Sequence, residues 1–195
     1  MEGVSYVLPV ARSQPGDKVI AYKVAKVGAT KYDAQFFANL FKSIGVPDAV
    51  VMFLVAQVAL ETQHFTSKLL YDHNNASGII FINKPSVQKN ATKGRPIPEN
   101  SKYNYAMFNS IKDWAIDYNR VLHLGKAKPF EATTLADYVA RLKANKYFSA
   151  DINEYMRIIK DTYAKYKKFV PTVAVAGGSA IALLLIVGLA YAISR

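Results

Sequence analysis

Residues Val170 to Ile193 form a run of 24 positions without a charge, VPTVAVAGGSAIALLLIVGLAYAI. A soluble helix so apolar would need protein on every side of it. About 20 apolar residues cross a bilayer core as a helix, so this run spans one with some tilt. Gly177, Gly178 and Gly188 are usual in membrane-spanning helices and unfavourable in soluble ones. The expectation is a transmembrane anchor over 169–195, in which only Ser194 and Arg195 follow the run. The N-terminal stretch MEGVSYVLPVARSQPGDK has no basic region leading into an apolar one, so no signal peptide is expected. Lys165, Lys167 and Lys168 stand just before the run.

Removing that run clarifies the rest. All 14 acids and 24 of the 25 bases lie in residues 1–168, leaving a net +10 there. Such a balance fits an anionic partner, whether polymer, lipid surface or nucleic acid. The lysines are spread over helices and loops rather than set between aromatics, so no nucleic-acid site is expected. With no cysteine, thiolate zinc sites and cysteine nucleophiles are excluded. His64, His73 and His123 lack metal-ligand spacing, and no phosphate-binding loop or dinucleotide fingerprint is present. No metal or other cofactor is expected.

Residues 1–30, broken by Pro9, Pro15, Gly16 and Gly28, read as an extended arm, and 31–168 as one domain. Phe36, Phe37, Leu40 and Phe41 recur at helical spacing up to Gly45. Pro47 and Asp48 open a second helix, AVVMFLVAQVALETQ, apolar on nearly every side and therefore central. A short helix around residues 66–71 leads into the turn-rich HNNASG. Residues 79–108, with IIFI and YNYAMF at their ends, read as a small β lobe. Ser110 with Asp113 and Thr134 with Asp137 start two further helices in the manner of capping boxes, and a last helix covers 152–168. Trp114 reads as core.

Glu61 lies at the end of the central apolar helix. Burial there would raise its carboxyl pKa and keep a proton on near neutrality, which suits a general acid. A helix-end glutamate facing solvent is the plainer reading of the same position.

The run VAQVALETQHFTSKLLYDHNNASGI resembles the signature of glycoside hydrolase family 73, the peptidoglycan glucosaminidases of flagellar-rod and autolysin type. The matching residues are Gln57, Ala59, Leu60, Glu61 and Thr62, then Asn74, Asn75, Gly78 and Ile79. YAMFNSIKDWAIDY and LADYVARLKANKYFSADINEY are similar to the family's later segments, in order, so the likeness covers roughly 33–166. Two positions depart from the pattern: Ser77 stands where many relatives carry an aromatic, and Ile80 where a lysine is usual.

The resemblance implies a mainly helical α+β fold of lysozyme type, a helical lobe and a small β lobe flanking a cleft. It implies Glu61 as the acid that protonates the leaving oxygen of a β-1,4 glycosidic bond. Between Asp72 and Asp113 the only acid is Glu99, the candidate second carboxylate. Asn74, Asn75, Tyr103 and Tyr105 are the candidate substrate-binding residues, the two tyrosines by stacking or hydroxyl contact. The plainer alternatives are a surface loop residue for Glu99 and packing for the tyrosines.

The resulting expectation is a membrane-anchored peptidoglycan hydrolase. Its partners would be peptidoglycan, a lipid membrane and virion structural proteins. A wall-cutting domain with an anchor and no signal peptide suits the virion membrane of a membrane-containing bacteriophage, the bacterial envelope being the other placement. A non-catalytic glycan-binding membrane protein and a lytic transglycosylase are the alternatives.

Overall fold

The computed structural model describes residues 31–97 and 104–168. The expected N-terminal arm, Glu99, Tyr103 and the uncharged run 170–193 lie outside the described residues. Among those described, no helix is long and apolar enough to cross a membrane.

Six helices and a two-stranded sheet make up the described chain, an α+β arrangement that is mainly helical. Helix α1 (Ala34–Ser43) starts where the Asp33 carboxylate accepts the Phe36 N–H at 2.7 Å, and it buries Phe37, Ala38 and Phe41. Gly45, at φ +83, takes the left-handed turn that ends it. Helix α2 (Asp48–Glu61) buries every residue from Val50 to Ala59 except Met52, as a helix without a polar face must. It forms the centre of the domain, packed chiefly on α6 and α1.

Helix α3 (Lys68–His73) begins two residues later than the expected 66–71. Gln63, His64 and Phe65 all have positive φ, so the chain cannot re-enter a right-handed helix until the Ser67 hydroxyl caps Leu70. Strand β1 (Ala91–Lys93) pairs antiparallel with β2 (Ala106–Phe108) in the register Ala91–Phe108, Thr92–Met107, Lys93–Ala106.

The IIFI segment, expected to be β-like, is not a strand; only Ile80 bridges Tyr105. Side-chain amides occupy much of its backbone instead. Asn75 donates to the Ile79 carbonyl at 2.9 Å, and Gln88 donates to the Ile80 carbonyl at 2.7 Å while accepting the Ile82 N–H at 3.0 Å.

Helix α4 (Ile111–Leu122) is capped by Ser110 and α5 (Leu135–Ala144) by Thr134, both through the N–H three residues on. Helix α6 (Ile152–Tyr166) is capped by Asp151. Trp114 is fully buried, edge-on to Phe37 and stacked on Tyr118 with ring centres 5.0 Å apart. Its indole N–H donates to the Ser77 hydroxyl at 3.0 Å. The departure from the family pattern at Ser77 thus supplies the acceptor that a buried indole requires.

Candidate active site

Glu61 is the last residue of α2 and is only partly exposed. The helix ends there because Thr62 turns the chain. Its hydroxyl donates to the Val58 carbonyl at 2.6 Å and accepts the Phe65 N–H at 2.9 Å. Gln63, His64 and Phe65 follow at φ values of 51°, 59° and 68°, a left-handed turn without a glycine. Such residues each cost about 1–2 kcal/mol in that region. Stacking of Phe65 on Phe37 and a 2.9 Å hydrogen bond between the Tyr166 hydroxyl and His64 Nδ1 hold them there. The chain therefore reverses immediately after the acid, leaving the end of α2 uncovered by its own continuation.

One turn earlier on the same face lies Gln57, fully buried, whose side-chain oxygen accepts the Tyr138 hydroxyl proton. Tyr147 and Tyr155 complete a sheath of buried phenols, and Tyr147 meets Tyr118 hydroxyl to hydroxyl at 3.2 Å. The Tyr138, Tyr147 and Tyr155 hydroxyls are pushed above their ordinary pKa, first by burial and then by the nearby Glu61 charge among other groups. All three are neutral donors and acceptors at any working pH. Glu61 forms no ion pair among the described residues. Desolvation by its surroundings therefore acts unopposed and raises its carboxyl from 4.5 to about 7. A carboxylic acid so placed retains its proton near neutrality and can give it to a leaving oxygen.

The β hairpin packs on α3 and α4 and has a clamped stem. Asn74, at φ +49, closes α3 and donates its amide to the Phe108 carbonyl at 2.9 Å. Asn75, 1 % exposed, donates to the Ile79 and Ala106 carbonyls and accepts the Ser77 and Ile79 N–H groups. All four of its hydrogen-bonding positions are occupied by backbone, leaving none for a sugar. The two asparagines hold the hairpin to the α3 loop.

At the other end, the buried Asp117 carboxylate of α4 accepts from the Asn90 backbone N–H at 2.8 Å and its side chain at 3.1 Å, and pairs with Arg120. Arg95 pairs with Asp72 at 2.6 Å. Gly94 passes so close to the buried His73 that a Cβ would lie 2.6 Å from the ring. Tyr105 is half-buried on the hairpin, its carbonyl accepting from Gly94 N–H at 2.9 Å. Glu99 and Tyr103, between β1 and β2 in sequence, lie outside the described residues, so of the two candidate carboxylates Glu61 is the one described.

In sequence Gln57 is matched only as a motif letter, and Tyr138, Tyr147 and Tyr155, within the segment similar to the family's closing stretch, carry no role. Their common property, a buried hydroxyl or amide beside Glu61, depends on α2, α5 and α6 meeting. His64 bonds Tyr166, His123 donates to the Asn119 carbonyl at 2.7 Å, and His73 packs on Gly94. Among the described residues no three His, Cys, Asp or Glu side chains are grouped to hold a metal ion.

Residues 34–173 match the profile of the glucosaminidase family, described as mannosyl-glycoprotein endo-beta-N-acetylglucosaminidase. Among curated proteins no sequence matches. Similar solved structures include the catalytic domain of the autolysin Auto from Listeria monocytogenes, at 24% identity and TM-score 0.47 over 73% of this chain and 89% of that one. A peptidoglycan hydrolase from Sphingomonas sp. A1 is 19% identical, with TM-score 0.47 over 72% and 91%. A type VI secretion effector–immunity complex from Pseudomonas protegens contains a chain 18% identical, with TM-score 0.44 over 69% and 94%.

Proposed function

Because the chain belongs to the glucosaminidase family, glycoside hydrolase family 73, and is a glycoside hydrolase, we propose that it cuts peptidoglycan glycan strands at a β-1,4 bond between N-acetylglucosamine and N-acetylmuramic acid. The observation that carries this reading is the Glu61 carboxyl, desolvated at the end of α2 beside Gln57 and three neutral tyrosines. In this reading Glu61 donates its proton to the departing glycosidic oxygen as the C–O bond breaks and positive charge develops on the sugar ring. Water then adds to the anomeric carbon and gives up its proton, restoring the acid. Glu99 is the proposed second carboxylate, arriving from the hairpin whose stem the asparagines and Asp117 hold. Tyr103 and Tyr105 are the proposed sugar contacts, whereas Asn74 and Asn75 act on substrate through the loop they fix.

The uncharged run 170–193 is read as a membrane anchor, and a virion membrane as its location. The length of that run and its lack of charge support the anchor, and a wall-cutting domain tethered to a bilayer supports the placement. Purified phage particles lacking the protein, with host membranes containing it, would overturn it.

Digestion of purified peptidoglycan followed by mass spectrometry tests the chemistry. New reducing-end N-acetylglucosamine, absent with Glu61→Gln, is the expected result. Anhydro-muramic ends would make the protein a transglycosylase, and no release at all a binding module.

A further inference from the structure

Helix α6 has two unlike faces and two unlike ends. Tyr155, Ile159 and Thr162 are buried against the domain. Arg157, Lys160, Asp161, Ala164 and Lys165 recur at three- and four-residue steps, so they share the outward face, and all are exposed. Lys167 and Lys168 extend this face past the helix end. The acids Asp151 and Glu154 lie at the start of the helix, and from Arg157 to Lys168 only Asp161 opposes five cations. Arg157, Lys160, Lys165 and Lys167 take part in no ion pair among the described residues. Lys165 and Lys167 lie over the half-buried rings of Tyr166 and Tyr163 at 5.3 and 5.7 Å. Between this face and His64 is a recess of about 290 Å³ that includes Arg157, Asp161 and Lys165 in its lining.

We propose that this outward face of α6 docks on the anionic headgroups of a bilayer and so sets the orientation of the catalytic domain on the membrane. The proposal rests on the reading of residues 170–193 as a membrane span. Two observations favour lipid over the anionic glycan as the occupant. The cations crowd toward the end of α6 that leads within a few residues into the uncharged run, and tyrosines with lysines beside them are the side chains that populate membrane interfaces. Tyr155, which flanks Glu61, lies near the start of the helix and precedes Tyr166 by 11 residues, about 16 Å of helical rise. Docked by its outward face, α6 lies along the bilayer with its Tyr155 end farthest from the uncharged run.

The chain has no cysteine, so single labels report cleanly. Full-length protein carrying Ala164→Cys with a fluorophore is reconstituted into vesicles of phosphatidylcholine alone, or of phosphatidylcholine with about a third phosphatidylglycerol. Acrylamide quenching should fall at least threefold in the anionic vesicles and recover in high salt, while a label at Thr92→Cys on the hairpin should not change. The Arg157→Gln, Lys160→Gln, Lys165→Gln triple variant should float with both vesicles yet lose the protection.

Flotation with both vesicle types and equal quenching in each overturns the docking and leaves the anchor standing. Flotation with anionic vesicles alone, reversed by salt, supports the docking and overturns the anchor. Flotation with neither overturns both.

Discussion

Replacing Glu61 by Gln keeps the shape of the side chain and removes its charge, so the stability of this variant should depend on pH in a calculable way. In the unfolded chain the carboxyl titrates near its ordinary 4.5, and in the fold near 7. Between those values the native state holds a proton that the unfolded chain has released, so native stability falls as pH rises. The cost is absent at pH 4, below both values, and complete at pH 8, above both. A tenfold change in proton affinity is about 1.4 kcal/mol, so the full cost is at most about 3.4 kcal/mol, water at the partly exposed side chain reducing it. Glutamine, always neutral, escapes it. Urea unfolding of both proteins in detergent should give equal stabilities at pH 4 and a variant more stable by about 2–3 kcal/mol at pH 8. The same substitution should lower hydrolysis about 1000-fold, the contribution of a general acid, and wild-type kcat/KM should decline above pH 7 as the acid loses its proton. A stability gap that stays flat from pH 4 to pH 8 refutes the desolvated acid, whatever happens to activity.

Three further perturbations probe the frame around it. Asp117→Asn removes the charge that holds Asn90 and Arg120, and should cost roughly 2 kcal/mol in urea unfolding. Gly94→Ala puts a methyl 2.6 Å from His73 and 2.7 Å from the Tyr105 carbonyl. The hairpin must shift, so the melting temperature should fall, with stability down by about 2 kcal/mol, and hydrolysis should fall further than the unfolded fraction explains. Gln63→Gly relieves a left-handed residue on the surface and should raise stability by about 1 kcal/mol, while Gln63→Ala should not; equal melts for the two would refute the strain.

The helices were legible because their signals are local. Ser110 and Thr134 cap the helices that their spacing to Asp113 and Asp137 announced. An apolar stretch with no polar face can sit only at the centre, as α2 does. The lobe between α3 and α4 was less legible because side chains hold it together with a short strand pairing. An amide that satisfies a carbonyl leaves no trace in hydrophobic alternation, so IIFI read as a strand although Asn75 and Gln88 take its backbone groups. The late start of α3 has the same kind of cause, since nothing in the letters Gln63, His64 and Phe65 announces a left-handed turn.

The site divides along this line. Whether Glu61 is desolvated depends on its own apolar helix and on the tyrosines that α5 and α6 bring beside it, so the residues before it carried only part of the signal. Whether an asparagine contacts a sugar or the backbone depends on what already surrounds it. In sequence Asn74 and Asn75 stood as a pair of polar side chains beside a catalytic motif, equally suited to either task. In the fold, the Asn75 amide meets two carbonyls and two N–H groups, the Ile79 carbonyl accepting the Ala106 N–H as well. Freeing it to bind substrate would take the Asn75 partner from the buried Ser77 and Ile79 N–H groups, at about 1–3 kcal/mol for each left unsatisfied. A sugar hydroxyl, which exchanges water for protein at little net gain, cannot repay that. The energetics therefore assign Asn75 to the architecture of the cleft, and substrate recognition falls to side chains with hydrogen-bonding capacity to spare.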